Sequence, residues 1–578
     1  MKRHYFVLSL LLYTLISCDK NIDVVYLDPL YPDQEQFRSS VFIEVFSTTG
    51  LPVTNALVRI GNYKRETDAR GFIYLHDVLV GSSTYLVVEK EGYFHASRRF
   101  YPTAGTQQFI RIVMMPDSRV GFFSSGAGAS LPIEGDVKLH FPKDGYEYLN
   151  GESYDGIVVV AAKAIPAGDP DLSYKMPGDL TGIDTNGNAG SLASMGMVAV
   201  ELEASDGRPL QLKENAQVQM DIKIASNQSD IAPSTIPMWH FDEDEGLWKE
   251  EGAATLSGNV YTAYVSHFSF WNYDAWFPAI KWGATFDFGN RGLASQLEVC
   301  ITIISLNTTK CAYTNSDGMV CGLVAANELL LMEVKNQCGD VIYSEEIGPY
   351  TDSTMLGPIT IPDAGLQFTT ITGHAISCDG TPVTNGYASI YINQQGFYVT
   401  LDEMTGAFSL SKPFCDLNDV QVNVVDLEHN KTSLPLSFDA APVIDADTIS
   451  VCVANKEFIE FQMEGIPDHY YFYFPKEGFD EYTGLSASLG GSDETHIHIH
   501  FRGQAAGEYS GYDAEVNVFL QGMGWYDSTV STVITVSEFG KVGEYINGTM
   551  SGKMRKKNPG GGGPEFAMYG SFSVIREE

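Results

Sequence analysis

Three phrases decide the fold of this chain: VFIEVF at 41–46, GLPV at 50–53 and ETDARGFIYL at 66–75. Each apolar run is short and is bounded by turn-forming residues, a pattern typical of β-strands. In the last phrase, Thr67 and Asp68 are expected to offer side-chain oxygens to the backbone of a tight turn. Gly71 can then adopt a positive φ, and Phe72 re-enters the core. The motif predicts structure and requires no catalytic group.

Composition extends this prediction to the whole chain. Apolar residues make up 44% of the 578 residues, while Gly 56 and Pro 25 interrupt the sequence too often for long helices. At roughly 150 residues per domain, this length indicates four or five units. We predict an all-β protein of tandem β-sandwich modules with a β-barrel or sandwich domain at the C-terminus.

Two weaker copies of the opening pattern follow. The second runs from GLA at 292–294 to YTNSDGMV at 313–320, and the third from GTPVTNG at 380–386 to DEMTGAF at 402–408. The interval from first glycine to turn glycine is 26 positions in both copies, against 21 in the first. Such self-similarity indicates repeated modules.

The first copy also ends in a K-x-G-Y phrase at 90–93. Together with the G-x-P-V and T-D-x-x-G-x-F turns, this phrase resembles the carboxypeptidase-regulatory-like family over 39–116. The resemblance implies a prealbumin-type, immunoglobulin-like β-sandwich. We call this range the first module, and we place the second module at 276–366 and the third module at 367–455, arranged in a row.

The middle block, 117–275, has a different character. Its phrases include MPGDL at 176–180, IPMWHFD at 236–242 and YTAYVSHFSFWN at 261–272. These phrases resemble the extracellular block found in bacteroidete-type lipoproteins and in the cartilage intermediate layer protein family. The last part, 456–578, alternates apolar and polar residues in several strands and is predicted to be a separate C-terminal β domain.

The N-terminus carries a basic pair, an apolar run and the ending Leu15-Ile16-Ser17-Cys18. This pattern resembles a bacterial lipoprotein signal, and the apolar run is too short to span a bilayer. We predict a signal peptide at 1–18, with Cys18 as the acylated first mature residue, and a polar tether at 19–38. The resemblance implies an outer-membrane protein held by its N-terminal lipid, on the cell surface or the periplasmic face.

Charge and cysteines narrow the possible partners and the compartment. The formal net charge is −37, which opposes nucleic-acid binding because phosphate contacts need clustered cations.

Seven cysteines remain beyond Cys18, and they fall only in the second and third modules. In an exported protein this clustering predicts disulfides within each module, with at least one thiol left over. The pairing is not readable from sequence.

One strand and one loop are candidate metal sites. The phrase THIHIHF at 495–501 projects His496, His498 and His500 from one strand face, and imidazole is a common metal ligand. Because same-face residues lie about 6.6 to 6.8 Å apart, two histidines completed by a neighbouring strand are the stronger metal-binding alternative. The other interpretation is a half-buried strand whose intervening apolar residues face the core.

The loop containing Asp184, Asn186 and Asn188 has the oxygen spacing of a calcium loop. It lacks the glycine expected at the sixth place, which is Ala189, and the acid expected at the twelfth, which is Met195. These departures favour a plain Asx-rich turn over a calcium site.

No nucleophile, zincin or phosphate-loop motif is present in the sequence. Ser266 and His267 are adjacent, so on a strand they would point to opposite faces and could not act as a nucleophile and base pair. We therefore predict no cofactor and a non-catalytic envelope lipoprotein with a structural, adhesive or ligand-binding role. The alternatives are a carbohydrate-binding surface protein, which would expose its tryptophans, and an exported hydrolase whose site is assembled between domains.

Overall fold

The computed structural model describes residues 35–578 except 62, 69, 135, 225–231, 364–365, 393–394, 415–419, 430, 455–457, 464–469, 474–475, 480–482, 489–494, 521–522, 540–544, 558–562 and 576–578. The predicted signal, most of the tether, Cys18 and Cys415 lie outside the described residues. The described chain is nearly all β-strand, which confirms the predicted fold class. Its helical segments are α1 (Leu172–Lys175) and two 3-10 turns, Gly289–Arg291 and Gly511–Asp513. In these ranges no helix is long and apolar enough to cross a membrane.

The first module is a sandwich of two sheets. Its strands are β1 Gln36–Ser47, β2 Leu57–Ile60, β3 Tyr63–Glu66, β4 Phe72–Gly81, β5 Thr84–Glu89, β6 Ala96–Phe100 and β7 Gln107–Met114. One sheet has the order β4-β1-β7 and the other β3-β2-β5-β6. Because alternate residues of a strand share a face, Val41, Ile43 and Val45 of β1 all enter the core between the sheets.

The middle block is a large sheet around its own core. Its strands are β8 Arg119–Ser124, β9 Ala129–Ile133, β10 Val137–Phe141, β11 Tyr146–Tyr148, β12 Ile157–Pro166, β13 Thr181–Ile183, β14 Ala189–Ala204, β15 Pro209–Leu212, β16 Val218–Lys223, β17 Thr235–Asp242, β18 Leu247–Ser257, β19 Val260–Val265 and β20 Phe270–Asp287. The long strand β20 pairs with β14 and β17 in its first half. It runs unbroken across position 275, where a module boundary was placed from the sequence, and its second half opens the second module.

The second and third modules repeat the topology of the first. Their strands are β21 Glu298–Ile303, β22 Thr308–Tyr313, β23 Met319–Ala325, β24 Leu330–Lys335, β25 Val341–Ile347, β26 Thr354–Thr360, β27 Phe368–Ser377, β28 Gly386–Ile392, β29 Gln395–Thr400, β30 Ala407–Pro413, β31 Val420–Asp426, β32 Lys431–Thr432, β33 Leu436–Phe438, β34 Val443–Val451 and β35 Val453–Ala454. In each module the first strand pairs antiparallel with one strand and parallel with a later one: β1 with β4 and β7, β20 with β23 and β26, and β27 with β30 and β34.

The turn chemistry is the same in all three modules. Gly71, Gly318 and Gly406 have φ of +77°, +70° and +68°, and a Cβ at each would lie 2.3 to 2.5 Å from a main-chain oxygen of the module's first strand. In the first turn, Asp68 Oδ1 accepts hydrogen bonds from two main-chain N–H groups, both at 2.9 Å. Thr67 Oγ1 donates to a main-chain oxygen at 2.7 Å. Each feature was predicted from the T-D-x-x-G-x-F phrase.

Two disulfides form within the modules, as predicted. Cys300 is bonded to Cys311 on the neighbouring strand of the second module, and Cys378 is bonded to Cys452 in the third. Cys338 is disulfide-bonded as well, and its partner lies outside the second module, because the other cysteines of that module are bonded to each other or free. This bond departs from the predicted pairing within each module. Cys321 of β23 is a free, partly buried thiol, in agreement with the odd cysteine count.

The C-terminal segment is a single hydrogen-bonded sheet that surrounds one core. Its strands are β36 Phe458–Met463, β37 Tyr470–Tyr473, β38 Lys476–Phe479, β39 Thr483–Ser488, β40 His496–Phe501, β41 Gly507–Ser510, β42 Ala514–Leu520, β43 Gly524–Ser528, β44 Val533–Phe539, β45 Tyr545–Lys556 and β46 Glu565–Ile575. The strand β40 lies in the interior of this sheet, between β39 and β42.

The modules do not lie in a simple row, which corrects the arrangement expected from the sequence. The first and third modules share an aromatic cluster, in which Phe42, Phe72 and Tyr74 pack against Tyr398. The ring of Tyr74 also meets that of Tyr387 at a centroid distance of 4.7 Å. These rings project from the face of each sheet that points away from the core of its own module. The two modules bury the rings by packing against each other.

Candidate functional site

The first module, the middle block and the second module enclose a cavity of about 140 Å³. Its lining includes the indole of Trp282, one acidic side chain, that of Asp179, and four basic ones, those of Arg98, Arg99, Arg111 and Lys310. We call it the cationic cavity, because its basic side chains outnumber the single acidic one. The excess of positive charge contrasts with the net charge of −37 for the chain.

The two arginines are buried because strand β6 is covered on both faces. All five residues of β6 are buried, since one face meets the core of the first module and the other meets the middle block. The guanidinium of Arg99 donates to the main-chain oxygen of Glu245 at 2.8 Å and to Ser83 Oγ at 2.9 Å. Arg99 therefore fastens the first module to the middle block.

Arg98 has spare hydrogen-bonding capacity. Its Nη1 donates to the main-chain oxygen of Gly178 at 3.3 Å. Its Nη2 is buried and has no hydrogen-bond partner among the described residues. The indole Nε1 of Trp282 is also buried and also has no partner among them. A buried donor without an acceptor costs about 1–3 kcal/mol. Two such donors in the lining of one cavity indicate a place for an acceptor.

Lys310 adds a further cation. Its Nζ donates to the main-chain oxygen of Leu323 and to Ser191 Oγ. Burial lowers the pKa of Lys310 to about 8, with Asp179 opposing the change, and burial likewise lowers the pKa of Arg98 to about 10. Both side chains therefore carry positive charge near neutral pH. Asp179 accepts a hydrogen bond from the hydroxyl of Tyr101 at 2.8 Å.

A second cavity, of about 590 Å³, lies where the first, second and third modules meet. Its basic side chains each face a carboxylate, because Lys335 lies 3.4 Å from Glu298 and Arg111 faces Glu44, and Asp171 adds a third acidic group to the lining. Burial raises the pKa of Glu44 to about 7, and the charge of Arg111 opposes the rise. This cavity shares Tyr174 and Tyr313 with the cationic cavity. The two rings stack at 5.9 Å.

The histidine strand does not gather its imidazoles at one point. The rings of His498 and His500 are 6.4 Å apart, and His498 stacks at 6.2 Å on Trp525. In the described part of the chain, His496, His498 and His500 belong to no group of three residues whose potential ligand atoms all lie within 4.8 Å of one another. The intervening apolar residues of β40 are buried in the core.

The loop at Asp184 has the hydrogen bonds of an Asx-type turn. Asp184 Oδ1 accepts from the main-chain N–H of Asn186 at 2.9 Å and of Asn188 at 2.7 Å. The amide Nδ2 of Asn188 donates to Asp184 Oδ2 at 2.9 Å. These hydrogen bonds, that of Asn188 first, lower the pKa of the Asp184 carboxyl. Both carboxylate oxygens are thus engaged by donors of the loop itself.

The sequence did not single out any cation of the cavity. The available signal was the phrase ASRRF at 96–100, in which two arginines interrupt an otherwise buried strand. A charge is rarely buried without a partner. Lys310 gave no such signal, because its burial arises only where the second module meets the middle block.

Comparison with known proteins gives one match in sequence. No family model matches the chain. Mouse cartilage intermediate layer protein 2 is 26% identical over 149 residues, which are 25% of this chain and 12% of that protein. This match supports the predicted resemblance to that protein family for one segment. The chain therefore spans about one eighth of the length of this curated relative.

Solved structures match only distantly. The Bacillus anthracis TIE protein is 7% identical, with 73% of this chain and 51% of that chain covered and a TM-score of 0.15. BcpA, the major pilin subunit of Bacillus cereus, is 10% identical, with 72% of this chain and 99% of that chain covered and a TM-score of 0.12.

Proposed function

We propose that this chain is a non-catalytic, lipid-anchored cell-envelope protein that binds a small oxyanionic ligand in the cationic cavity. The observation that carries the proposal is the presence of two buried donors without acceptors, Arg98 Nη2 and Trp282 Nε1, in the lining of one cavity. An oxyanion supplies both the acceptor atoms and the negative charge that this lining lacks. Carboxylate and phosphate groups share this chemistry, and arginine suits both.

The charge of the lining favours an oxyanion as much as its free hydrogen-bond donors do. Of the four basic side chains in the lining, Arg111 faces Glu44, and the other three share one carboxylate, that of Asp179. Uncompensated buried charge is strongly unfavourable. Water in the cavity would accept hydrogen bonds but would not neutralise the excess charge. A bound oxyanion does both, so the same groups that destabilise the empty protein favour the complex.

The proposal also includes attachment of the chain to the membrane through a lipid on Cys18. The basic pair, apolar run and Leu-x-Ser-Cys ending support acylation and attachment to the outer membrane. The disulfides support an oxidising compartment, where such bonds persist. The lipid makes the membrane a partner, and the cavity then lies on the surface or the periplasmic side.

The carbohydrate-binding alternative requires a flat surface of exposed tryptophan rings, and the described residues do not provide several such rings. Trp239, Trp248 and Trp271 are buried, and Trp525 is 40% exposed. Flat sugar recognition needs several accessible rings. The hydrolase alternative would require a reacting group beside the ligand, and the cation-rich lining favours binding of a negative charge.

Isothermal titration of the mature chain with sulfate, inorganic phosphate and acetate tests the proposal. Lys310→Met and Arg98→Gln should each weaken binding at least tenfold, since each removes a cation from the cavity. Trp282→Phe retains an aromatic ring but removes one donor and no charge, and we expect a smaller loss. Lys138→Met, at an exposed site on β10, is the matched control.

Binding that is equal in all four variants, or absent from the folded wild-type protein, overturns the proposal. Thermal unfolding of each variant without ligand separates lost binding from lost folding. Because Trp282→Phe changes no charge, it keeps the test decisive should Arg98→Gln fail to fold.

A further inference from the structure

Three potential metal ligands converge in the middle block, away from both cavities. They are His240 on β17, Glu251 on β18 and His267 in the bend between β19 and β20. One ligand atom from each lies within 4.8 Å of the other two. Nε2 of His267 is 3.1 Å from Glu251 Oε2, and Nε2 of His240 is 3.7 Å from the same oxygen.

Neighbouring groups hold these side chains in place. Ser266 Oγ donates to Glu251 Oε1 at 2.9 Å, which leaves Oε2 facing the two imidazoles. Trp271 Nε1 donates to the main-chain oxygen of His267 at 3.1 Å. The imidazoles meet edge to face at 4.7 Å, and the Trp271 ring lies within 5.8 Å of both. Such supporting contacts orient the ligands of metal sites.

We propose that His240, Glu251 and His267 form a binding site for Zn²⁺ or a chemically similar first-row divalent ion. Zinc bonds of about 2.0–2.2 Å arranged as a tetrahedron place neighbouring ligand atoms about 3.4 Å apart. The two nitrogen-to-oxygen distances bracket that value. Two imidazoles favour zinc over calcium, which prefers a full set of oxygens.

The site leaves at least one coordination position to solvent. The side chains of His240, Glu251 and His267 are 20%, 43% and 39% exposed, so water can complete the coordination. A bound ion would join β17, β18 and the β19–β20 bend beside the buried Trp271. We therefore expect zinc to stabilise the middle block, because it binds only where these three segments are folded together.

The test is zinc binding to the untagged mature chain after chelator treatment, measured by competition with a chromophoric chelator. We expect one zinc ion per chain at this site and a rise in the unfolding temperature. Glu251→Gln, which retains the shape of the side chain, and His267→Ala should each weaken binding at least tenfold. Cobalt substitution should give a visible absorption band of a four-coordinate ion that both variants lose.

His140→Ala is the matched control. Nε2 of His140 lies 2.9 Å from one carboxylate oxygen, on Asp221. Among the described residues His140 belongs to no group of three converging metal ligands. This variant should leave zinc affinity unchanged. A second variant, His498→Ala, probes the histidine strand. Zinc affinity that survives Glu251→Gln but falls with His498→Ala overturns the proposal, as does the absence of zinc binding from the folded wild-type protein.

Discussion

Phe42 of β1 and Tyr398 of β29 stack with ring centroids 4.4 Å apart and planes inclined by 18°. The two residues belong to the first and third modules, which are separated in the sequence by the middle block and the second module. Both rings are almost fully buried, at 2% and 5% exposure. The contact brings the third module back against the first, and it lies beside the cavity of about 590 Å³ where the three modules meet.

Truncation of this contact should loosen the packing of the modules. Phe42→Ala removes a buried aromatic ring, and we expect a loss of about 3–5 kcal/mol in the free energy of unfolding. Urea unfolding measures this loss, and small-angle scattering should show a larger radius of gyration. Tyr512→Ala is the control, because Tyr512 is 91% exposed. An unchanged unfolding free energy for Phe42→Ala would contradict the predicted role.

The turn glycines should tolerate substitution unequally. A Cβ on Gly71 would lie 2.4 Å from the main-chain oxygen of Val45, whereas Gly50, also at positive φ, has nothing within 4 Å of such an atom. Gly50→Ala should cost about 1 kcal/mol from the left-handed backbone alone. Gly71→Ala should cost at least about 1 kcal/mol more, because the strand must shift. Equal melting temperatures for the two variants would refute this reasoning.

Lys412 should make stability depend on pH. It is 2% exposed, its Nζ donates to the main-chain oxygen of Ser295, and burial lowers its pKa from 10.5 to about 7. Between these values the unfolded chain binds more protons than the folded one, so the contribution of Lys412 to the unfolding free energy rises with pH. Lys412→Met should raise stability at pH 7 and remove that part of the slope.

Denaturant unfolding at a series of pH values, from about 7 to about 10, measures the effect of Lys412 as the difference between wild type and variant. Lys138→Met should retain the wild-type slope, since that side chain is exposed. A Lys412→Met protein with an unchanged slope would show that the buried ammonium is not the source.

Oxyanion affinity should fall as the solution becomes alkaline. In the empty cavity the pKa of Lys310 is about 8, so above that pH the side chain loses the charge that attracts the ligand. We expect the dissociation constant of sulfate, which stays ionised, to rise by up to about tenfold per pH unit. Lys310→Met should bind weakly at every pH and show no such dependence. A wild-type affinity that is flat across this range argues against Lys310 as a ligand contact.

Cys18 should carry the lipid. Metabolic labelling with a palmitate analogue is expected to mark the wild-type chain and to leave Cys18→Ser unlabelled and released from the membrane fraction. Cys321→Ser is the matched control, because Cys321 is a free thiol in β23 and should not affect acylation. Retention of label by Cys18→Ser would contradict the lipoprotein assignment.

The sequence alone was enough to predict those features that depend on residues close to one another along the chain. The turn around Asp68 and Gly71 was predictable because its hydrogen bonds and its positive φ involve residues a few positions apart. The same phrases in weaker form predicted the later copies. Cysteine clustering predicted that disulfides form inside the modules, but the pairing of Cys300 with Cys311 came only from the structure.

Features that depend on distant packing were missed. Lys310 is buried only because the second module meets the middle block. Ser266 and His267 were assumed to point to opposite faces of a strand, but β19 ends at Val265, and in the following bend both side chains reach Glu251. No local pattern marks where such a strand stops or which distant carboxylate its residues meet.

The most direct test of the account is a crystal of the mature chain grown with selenate and measured at the selenium absorption edge. Selenate is an oxyanion, and its anomalous signal locates it without ambiguity. We predict a peak in the cationic cavity, within hydrogen-bonding distance of Arg98 and Lys310, that disappears in Lys310→Met crystals. Selenium signal confined to the protein surface, with none in the cavity, would contradict the proposed binding function.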